Sequence, residues 1–214
     1  MIKALLFDLD GVIIDSGDFH FKAWQVFCSR FSQDFTIEEF KKGFGQTNKD
    51  ILSDLLKKSL TAEELQLYSD EKEAIFRNLA QGNIKPIPGI LEYIKEMKQL
   101  PLLMGLVSST PRANIDFILN EIGLDNYFDI IISAEDVQEG KPSPGCYLTA
   151  AERLHVLPGE CVVFEDAIPG VQSAIKAGMG CIAITTTQPA HKLTQATFIV
   201  ASWREVKDLP IFNR

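Results

Sequence analysis

Residues 1–11, MIKALLFDLDG, decide how the rest of the chain is read. Residues 4–7 form an apolar run of strand length, which gives way at once to Asp8-Leu9-Asp10-Gly11. Side chains alternate along a strand, so Asp8 and Asp10 face one side together while Leu9 points into a sheet. The run is too short for the apolar region of a signal peptide, and no small-residue cleavage site follows it. The expectation is that this start belongs to the fold and that the protein is cytoplasmic.

Outward from that stretch, short apolar runs recur at 103–107, 130–132, 161–164, 181–184 and 198–200. Helical patterns at 112–122, 144–154 and 167–177 separate the later ones, each long enough to cross over a sheet. Strand and helix in alternation imply an α/β, Rossmann-like parallel sheet with helices on both faces. Residues 18–81 break the pattern with amphipathic segments at 19–31, 37–42, 49–57 and 62–79 and no strand-like run. The expected division is therefore an α/β core of residues 1–15 and 84–214, with residues 16–83 inserted as a helical cap. Turn residues mark both edges, Asp15-Ser16-Gly17 and the Gly- and Pro-rich stretch 82–89. Because the insertion leaves from the carboxyl end of the first strand, where open α/β sheets place their ligand crevice, it should hang over that crevice as a lid.

Composition sets the limits on function. The chain has 214 residues, 46% hydrophobic and 23% charged, which excludes disorder, collagen and coiled coil. Twenty-nine acidic residues against 21 Lys and Arg give a net charge of −8, and no basic run appears, so neither nucleic acid nor an anionic membrane is an expected partner. No apolar stretch approaches the roughly 18 residues that span a bilayer. The four cysteines show no C-x-x-C spacing and read as reduced, buried thiols. A monomer is expected.

Polar residues follow each strand in turn: Asp8 and Asp10 after the first, Ser108-Ser109-Thr110 after the second, Lys141-Pro142 beyond the third, Glu165-Asp166 at the fourth. Each has an ordinary structural reading, as turn, helix start or cap. Gathered at one sheet edge they form something else. Four carboxylates cannot all stay ionised at close range without a cation, and hard oxygen donors with little sulfur or imidazole point to Mg²⁺. Asp8 is placed to attack phosphorus as a carboxylate nucleophile, with Lys141 and the Ser108 and Ser109 region holding phosphate oxygens. Asp10, two residues on, is placed to protonate the leaving oxygen and then to take a proton from water.

FDLDG, LVSST, GKPSP and FEDAIPGV together resemble the four motifs of the haloacid dehalogenase-like hydrolases, over nearly the whole chain. DGVIIDS, DFHFKAW, PIPG and EDAIPGVQSAIKAG resemble the β-phosphoglucomutase-like group within them. The resemblance implies Asp8 as nucleophile and metal ligand, Asp10 as acid/base with its backbone carbonyl on the metal, and Asp166 and Glu165 as further ligands. It implies phosphate contacts from Ser108 and Lys141, and a lid role for His20 in coupling closure to Asp10. Asp10 itself disfavours the metal-independent dehalogenases, which lack it.

The chain also departs from the mutase pattern. Gln46 follows Lys42-Gly43-Phe44-Gly45 where the mutases carry an arginine for their second phosphate, and a neutral amide cannot replace that clamp. Lys42, Lys49 and Arg112 are the remaining candidates near the substrate. Gly145 stands where relatives often have Asp, leaving Lys141's support in question. Glu63, Glu64, Asp70, Glu71 and Glu73 read as a solvated helix face. The expected activity is a Mg²⁺-dependent phosphatase for a small phosphorylated metabolite, a sugar phosphate first. A β-phosphoglucomutase-type mutase is the alternative; an inorganic pyrophosphatase and a non-catalytic phosphometabolite-binding protein are the minor ones.

Overall fold

The computed structural model describes residues 1–43, 47–57 and 59–211. From the amino terminus come β1 (Ala4–Phe7), β2 (Ile14–Asp15), α1 (Gly17–Ser29), α2 (Ile37–Gly43), α3 (Asn48–Leu56), α4 (Ala62–Ala80) and β3 (Lys85–Pro86). Then follow α5 (Ile90–Met97), β4 (Leu103–Val107), α6 (Arg112–Ile122), β5 (Ile130–Ile132), α7 (Gly145–Arg153) and β6 (Cys161–Glu165). The chain continues through α8 (Ile168–Lys176), β7 (Gly180–Ile184), β8 (Phe198–Val200) and α9 (Trp203–Val206).

Six strands form one sheet in the order β5-β4-β1-β6-β7-β8, with every neighbouring pair parallel. β1 lies inside the sheet and is buried along its whole length, which is why it reads as an unbroken apolar run. Its side chains divide by alternation. Leu5, Phe7 and Leu9 enter a core with Tyr93, Ile115 and Trp203, while Ala4 and Leu6 enter another with Tyr147, Val171 and Ala174 on the opposite face. Helices cover both faces, as the apolar runs require.

The register places the chemistry. Phe7 pairs with Leu106 of β4 and Phe164 of β6, so Asp8 emerges beside Glu165, with Ser108 one step past the end of β4. Helices α1, α3 and α4 gather a separate apolar cluster around Trp24, Phe27, Cys28, Phe35 and Leu52. Full burial of each large apolar side chain contributes about 1.5–3 kcal/mol, enough to give these helices a core of their own. Thr61 and Glu64 make the expected capping box at the start of α4. A two-residue ribbon, β2 antiparallel to β3, ties the chain where it leaves for these helices to the chain where it returns. It is too short to leave a periodic trace in the sequence.

No helix among the described residues is long and apolar enough to cross a membrane. All four cysteines are buried and free. Burial pushes the Cys28 and Cys161 thiols up to about 11, which keeps them unreactive.

Candidate active site

Asp8, Ser108, Ser109, Lys141, Glu165 and Asp166 line one small cavity of about 30 Å³ at the carboxyl edge of the sheet, with Asp10 at its margin. Lys141 is the hub. Its Nζ donates to Asp8 Oδ1 at 2.6 Å, to Glu165 Oε1 at 2.7 Å and, more weakly, to the Val107 carbonyl at 3.3 Å. Burial alone would lower the Lys141 ammonium, but Asp8 and Glu165 raise it above its ordinary value. The support left in question by Gly145 comes instead from Tyr147. Its hydroxyl donates to Glu165 Oε1 at 2.7 Å, and its ring lies 5.2 Å from Lys141 Nζ.

Asp8, Glu165 and Asp166 each present a carboxylate oxygen within 4.8 Å of the others, all three buried. Burial pushes the Asp8 carboxyl up to about 8, with Lys141 opposing and Glu165 and Asp10 adding to it. Burial likewise raises Asp166, and the charges of Glu165 and Asp8 raise it further. Asp166 Oδ1 is buried without a hydrogen-bond partner, while Oδ2 accepts from Thr187 Oγ1. An orphaned buried carboxylate oxygen within reach of two more buried carboxylates is the environment that a divalent cation relieves. The donor set fits Mg²⁺: all oxygen, with no imidazole or thiolate in the group. Gly11 makes the close approach possible. Its φ is +81°, and a Cβ there would stand 2.0 Å from Asp166 Oδ2.

Asp10 also lines this cavity, and its carboxylate is held by donors from other segments. Its Oδ1 accepts from Ser16 Oγ and lies 3.3 Å from His20 Nε2, and its Oδ2 accepts from Thr110 Oγ1 at 2.8 Å. Burial would raise the Asp10 carboxyl, but these three donors, His20 first, hold it at about 2. His20 stacks on Phe76 with ring centroids 4.0 Å apart. Its Nδ1 lies 2.9 Å from Lys72 Nζ. An ammonium only donates, so Nδ1 accepts and the ring proton sits on Nε2, facing Asp10. A second cleft opens beside this group, lined among others by Asp10, His20, Lys72, Glu73, Asn48 and Ser109.

A scan against family models matches residues 5–184 to "Haloacid dehalogenase-like hydrolase". The chain belongs to that family. Validoxylamine A 7'-phosphate phosphatase of Streptomyces hygroscopicus subsp. limoneus is 30% identical to this hydrolase over 207 residues, 97% of each chain. Fructose-1-phosphate phosphatase YqaB of Escherichia coli is 30% identical over 179 residues, 83% of this chain and 94% of its own. The crystal structure of β-phosphoglucomutase from Clostridium difficile superposes with a TM-score of 0.87 at 27% identity, over 97% of this chain and 96% of that one. Family and relatives together make the chain a phosphoric monoester hydrolase, with phosphomutases as the neighbouring chemistry.

The cap-side residues expected of this hydrolase are sorted by the geometry. His20 reaches Asp10. Lys49 is exposed on the rim of a wider cleft that runs to Lys141. Lys42 is exposed and pairs with Asp54 at 3.2 Å, lining neither the cleft at Asp10 nor the wider one at Lys141. Arg112 is taken up by Asp116 at 2.8 Å and by neither cleft. Both are exposed cations that pair with a nearby carboxylate. Gln46 lies outside the described residues. Glu73 is not part of a solvated face, since it is 3% exposed and paired with Lys72 at 2.8 Å. Ser16, Lys72, Thr110, Tyr147 and Thr187 were not singled out from sequence. Only Ser16 and Thr110 carried a signal, each standing inside a motif already quoted.

Proposed function

We propose that this chain hydrolyses the phosphate monoester of a small polyhydroxylated metabolite, a sugar phosphate first, by way of a phosphorylated Asp8. The observation that carries the reading is the pairing of a buried carboxylate, Asp8, held at 2.6 Å by Lys141, with a second carboxylate two residues on that the cap's His20 contacts. Mg²⁺ would be held by Asp8 and Asp166, with Glu165 and the Asp10 carbonyl beside them. Bound there, it supplies charge neutralisation between the carboxylates and an incoming phosphoryl group.

The chain's own side chains do the rest. Lys141 fixes the rotamer of Asp8 and gives up its weak contact with Val107 for a phosphoryl oxygen; Ser108 and Ser109 hold others. Asp8 attacks phosphorus, and the bond from phosphorus to the sugar oxygen breaks with its electron pair on oxygen, which takes a proton from Asp10. Asp10 stands ionised before substrate arrives, and the approach of a phosphoryl dianion raises it into the range where it carries that proton. Water then attacks phosphorus and gives a proton to Asp10, the bond from phosphorus to the Asp8 oxygen breaks with its electron pair on the carboxylate, and inorganic phosphate leaves.

Phosphatase is favoured over mutase by the charges in the cleft. A mutase must seat a second phosphate at the cap. Among the described residues the cations lining the two clefts are Lys72, already paired with Glu73, Lys141, already paired with Asp8 and Glu165, and Lys49. The cleft that Lys49 lines also carries Asp50, Asp70, Glu135 and Glu139, which repel a second anionic group. A screen of phosphorylated metabolites with Mg²⁺ tests the reading, with phosphate release as readout. Asp8→Asn is expected to abolish turnover; retained turnover in clean protein would remove the mechanism. Conversion of β-glucose 1-phosphate to glucose 6-phosphate, given a trace of the bisphosphate, would establish the mutase instead.

A further inference from the structure

Asn114 has no exposed surface and lies on the core helix α6, yet its side chain belongs to the cap's polar network. Its Nδ2 donates to Glu73 Oε2 at 2.5 Å and its Oδ1 accepts from Arg77 Nη1 at 2.5 Å, both partners on α4. The two partners differ in kind: a carboxylate that only accepts and a guanidinium that only donates. An amide answers both at once. A carboxylate there would repel Glu73, and an apolar side chain would take this partner from Glu73 Oε2 and from Arg77 Nη1.

From Glu73 the contacts run to the reacting carboxylate. Glu73 Oε1 accepts from Lys72 Nζ at 2.8 Å and from Asn48 Nδ2 at 2.8 Å. Lys72 is 2% exposed, held between the rings of Trp24 and Phe76, and its Nζ meets His20 Nδ1 at 2.9 Å. His20 meets Asp10. Such a chain has few alternative arrangements, because each member is buried or part-buried and each hydrogen bond fixes the next. We propose that Asn114 is a positioning residue: it docks the cap's Glu73–Lys72 pair onto the core in the one register that presents His20 to Asp10. Acid catalysis at the leaving oxygen therefore depends on a side chain that touches neither substrate nor Asp10. The proposal rests on the reading of Asp10 as the acid.

Leaving-group chemistry gives the test. An alkyl phosphate needs its departing oxygen protonated, whereas p-nitrophenyl phosphate and acetyl phosphate release weakly basic groups that do not. Values of kcat/KM report the steps through phosphorylation of Asp8, so they isolate this requirement. Fructose 1-phosphate, glucose 6-phosphate and glycerol 3-phosphate are compared with the two activated compounds for wild type, Asn114→Asp, Asp10→Asn and the swap Glu73→Gln/Asn114→Asp. For Asn114→Asp we expect kcat/KM on the alkyl phosphates to fall at least about tenfold, part of the 10²–10⁴ that a placed acid contributes, with less than about a twofold change on the activated compounds. The swap returns a donor–acceptor pair to the same two positions and is expected to recover part of the loss.

Equal losses on both substrate classes, or a swap no better than the sum of its parts, would overturn the role of Asn114. Equal losses on both classes for Asp10→Asn, or wild-type turnover confined to the activated compounds, would instead overturn the acid reading on which it rests. If Asn114→Asp does not fold, Asn114→Ala is judged by the same ratio.

Discussion

Stripping divalent cation from this protein should make its stability fall as pH rises, and Mg²⁺ should abolish the fall. Asp8 stands at about 8 and Asp166 well above its usual range, both chiefly through burial, against 3.8 for each in an unfolded chain. An acid raised by folding holds its proton in the native state where the unfolded chain has lost it, so stability is lost with increasing pH. Each retained proton costs about 1.4 kcal/mol per pH unit. Asp8 alone keeps its proton between about pH 5 and pH 7, a loss of about 3 kcal/mol across that span, and Asp166 is shifted in the same direction. The other groups with shifted values do not alter the slope: Asp10 and Glu73 are lowered and already ionised in both states, while Lys141 and Tyr147 are raised and protonated in both. At roughly 2–4 °C per kcal/mol for a chain of this size, Tm in EDTA should drop by about 6–12 °C. Metal ligands must be ionised to bind, so millimolar Mg²⁺ should flatten the profile. Thermal melts by circular dichroism at each pH, with EDTA and with Mg²⁺, make the comparison. Parallel profiles would refute the assignment of Asp8 and Asp166 to a cation.

Replacing Lys141 with Met leaves Asp8 and Glu165 buried without their shared cation; about 3–5 kcal/mol of stability and at least about a hundredfold of kcat/KM should be lost, read from melts and phosphate release. In Gly11→Ala the new Cβ meets Asp166 Oδ2 at 2.0 Å and Thr187 Cγ2 at 2.9 Å, so Asp166 must shift. Mg²⁺ affinity by titration calorimetry should weaken about 10–100-fold, and an unchanged isotherm would count against Asp166 as a ligand. Tyr147→Phe keeps the ring near Lys141 but removes the donor to Glu165. A cost of about 1–1.5 kcal/mol in denaturant melts is expected, with a smaller activity loss than Lys141→Met produces.

How much of this was legible beforehand varies with the range of the interaction. Strands such as Leu103–Val107 and Ile130–Ile132, and the helix Arg112–Ile122, stand where the hydrophobic period put them, because burial on a given face is a local property of the chain. Asp8, Ser108, Lys141, Glu165 and Asp166 were found from residue type and their place after strands, and the parallel register brings them together. Arg112 has a readable partner in Asp116, four residues on along the same helix. Glu73 offered no such sign. A carboxylate in a run of charges looks solvated until the partners that bury it are known.

By itself the sequence determined the alternating layers and which polar residue types stand after the strands, since both follow from periodicity and residue type. Tertiary structure alone decided that Tyr147 supports Lys141 and Glu165, that Lys42 pairs with Asp54, and that Asn114 of α6 joins Glu73 and Arg77 of α4. Hydrogen bonds and ion pairs between distant segments depend on distances of a few tenths of an ångström between side chains, and no pattern along a chain encodes those.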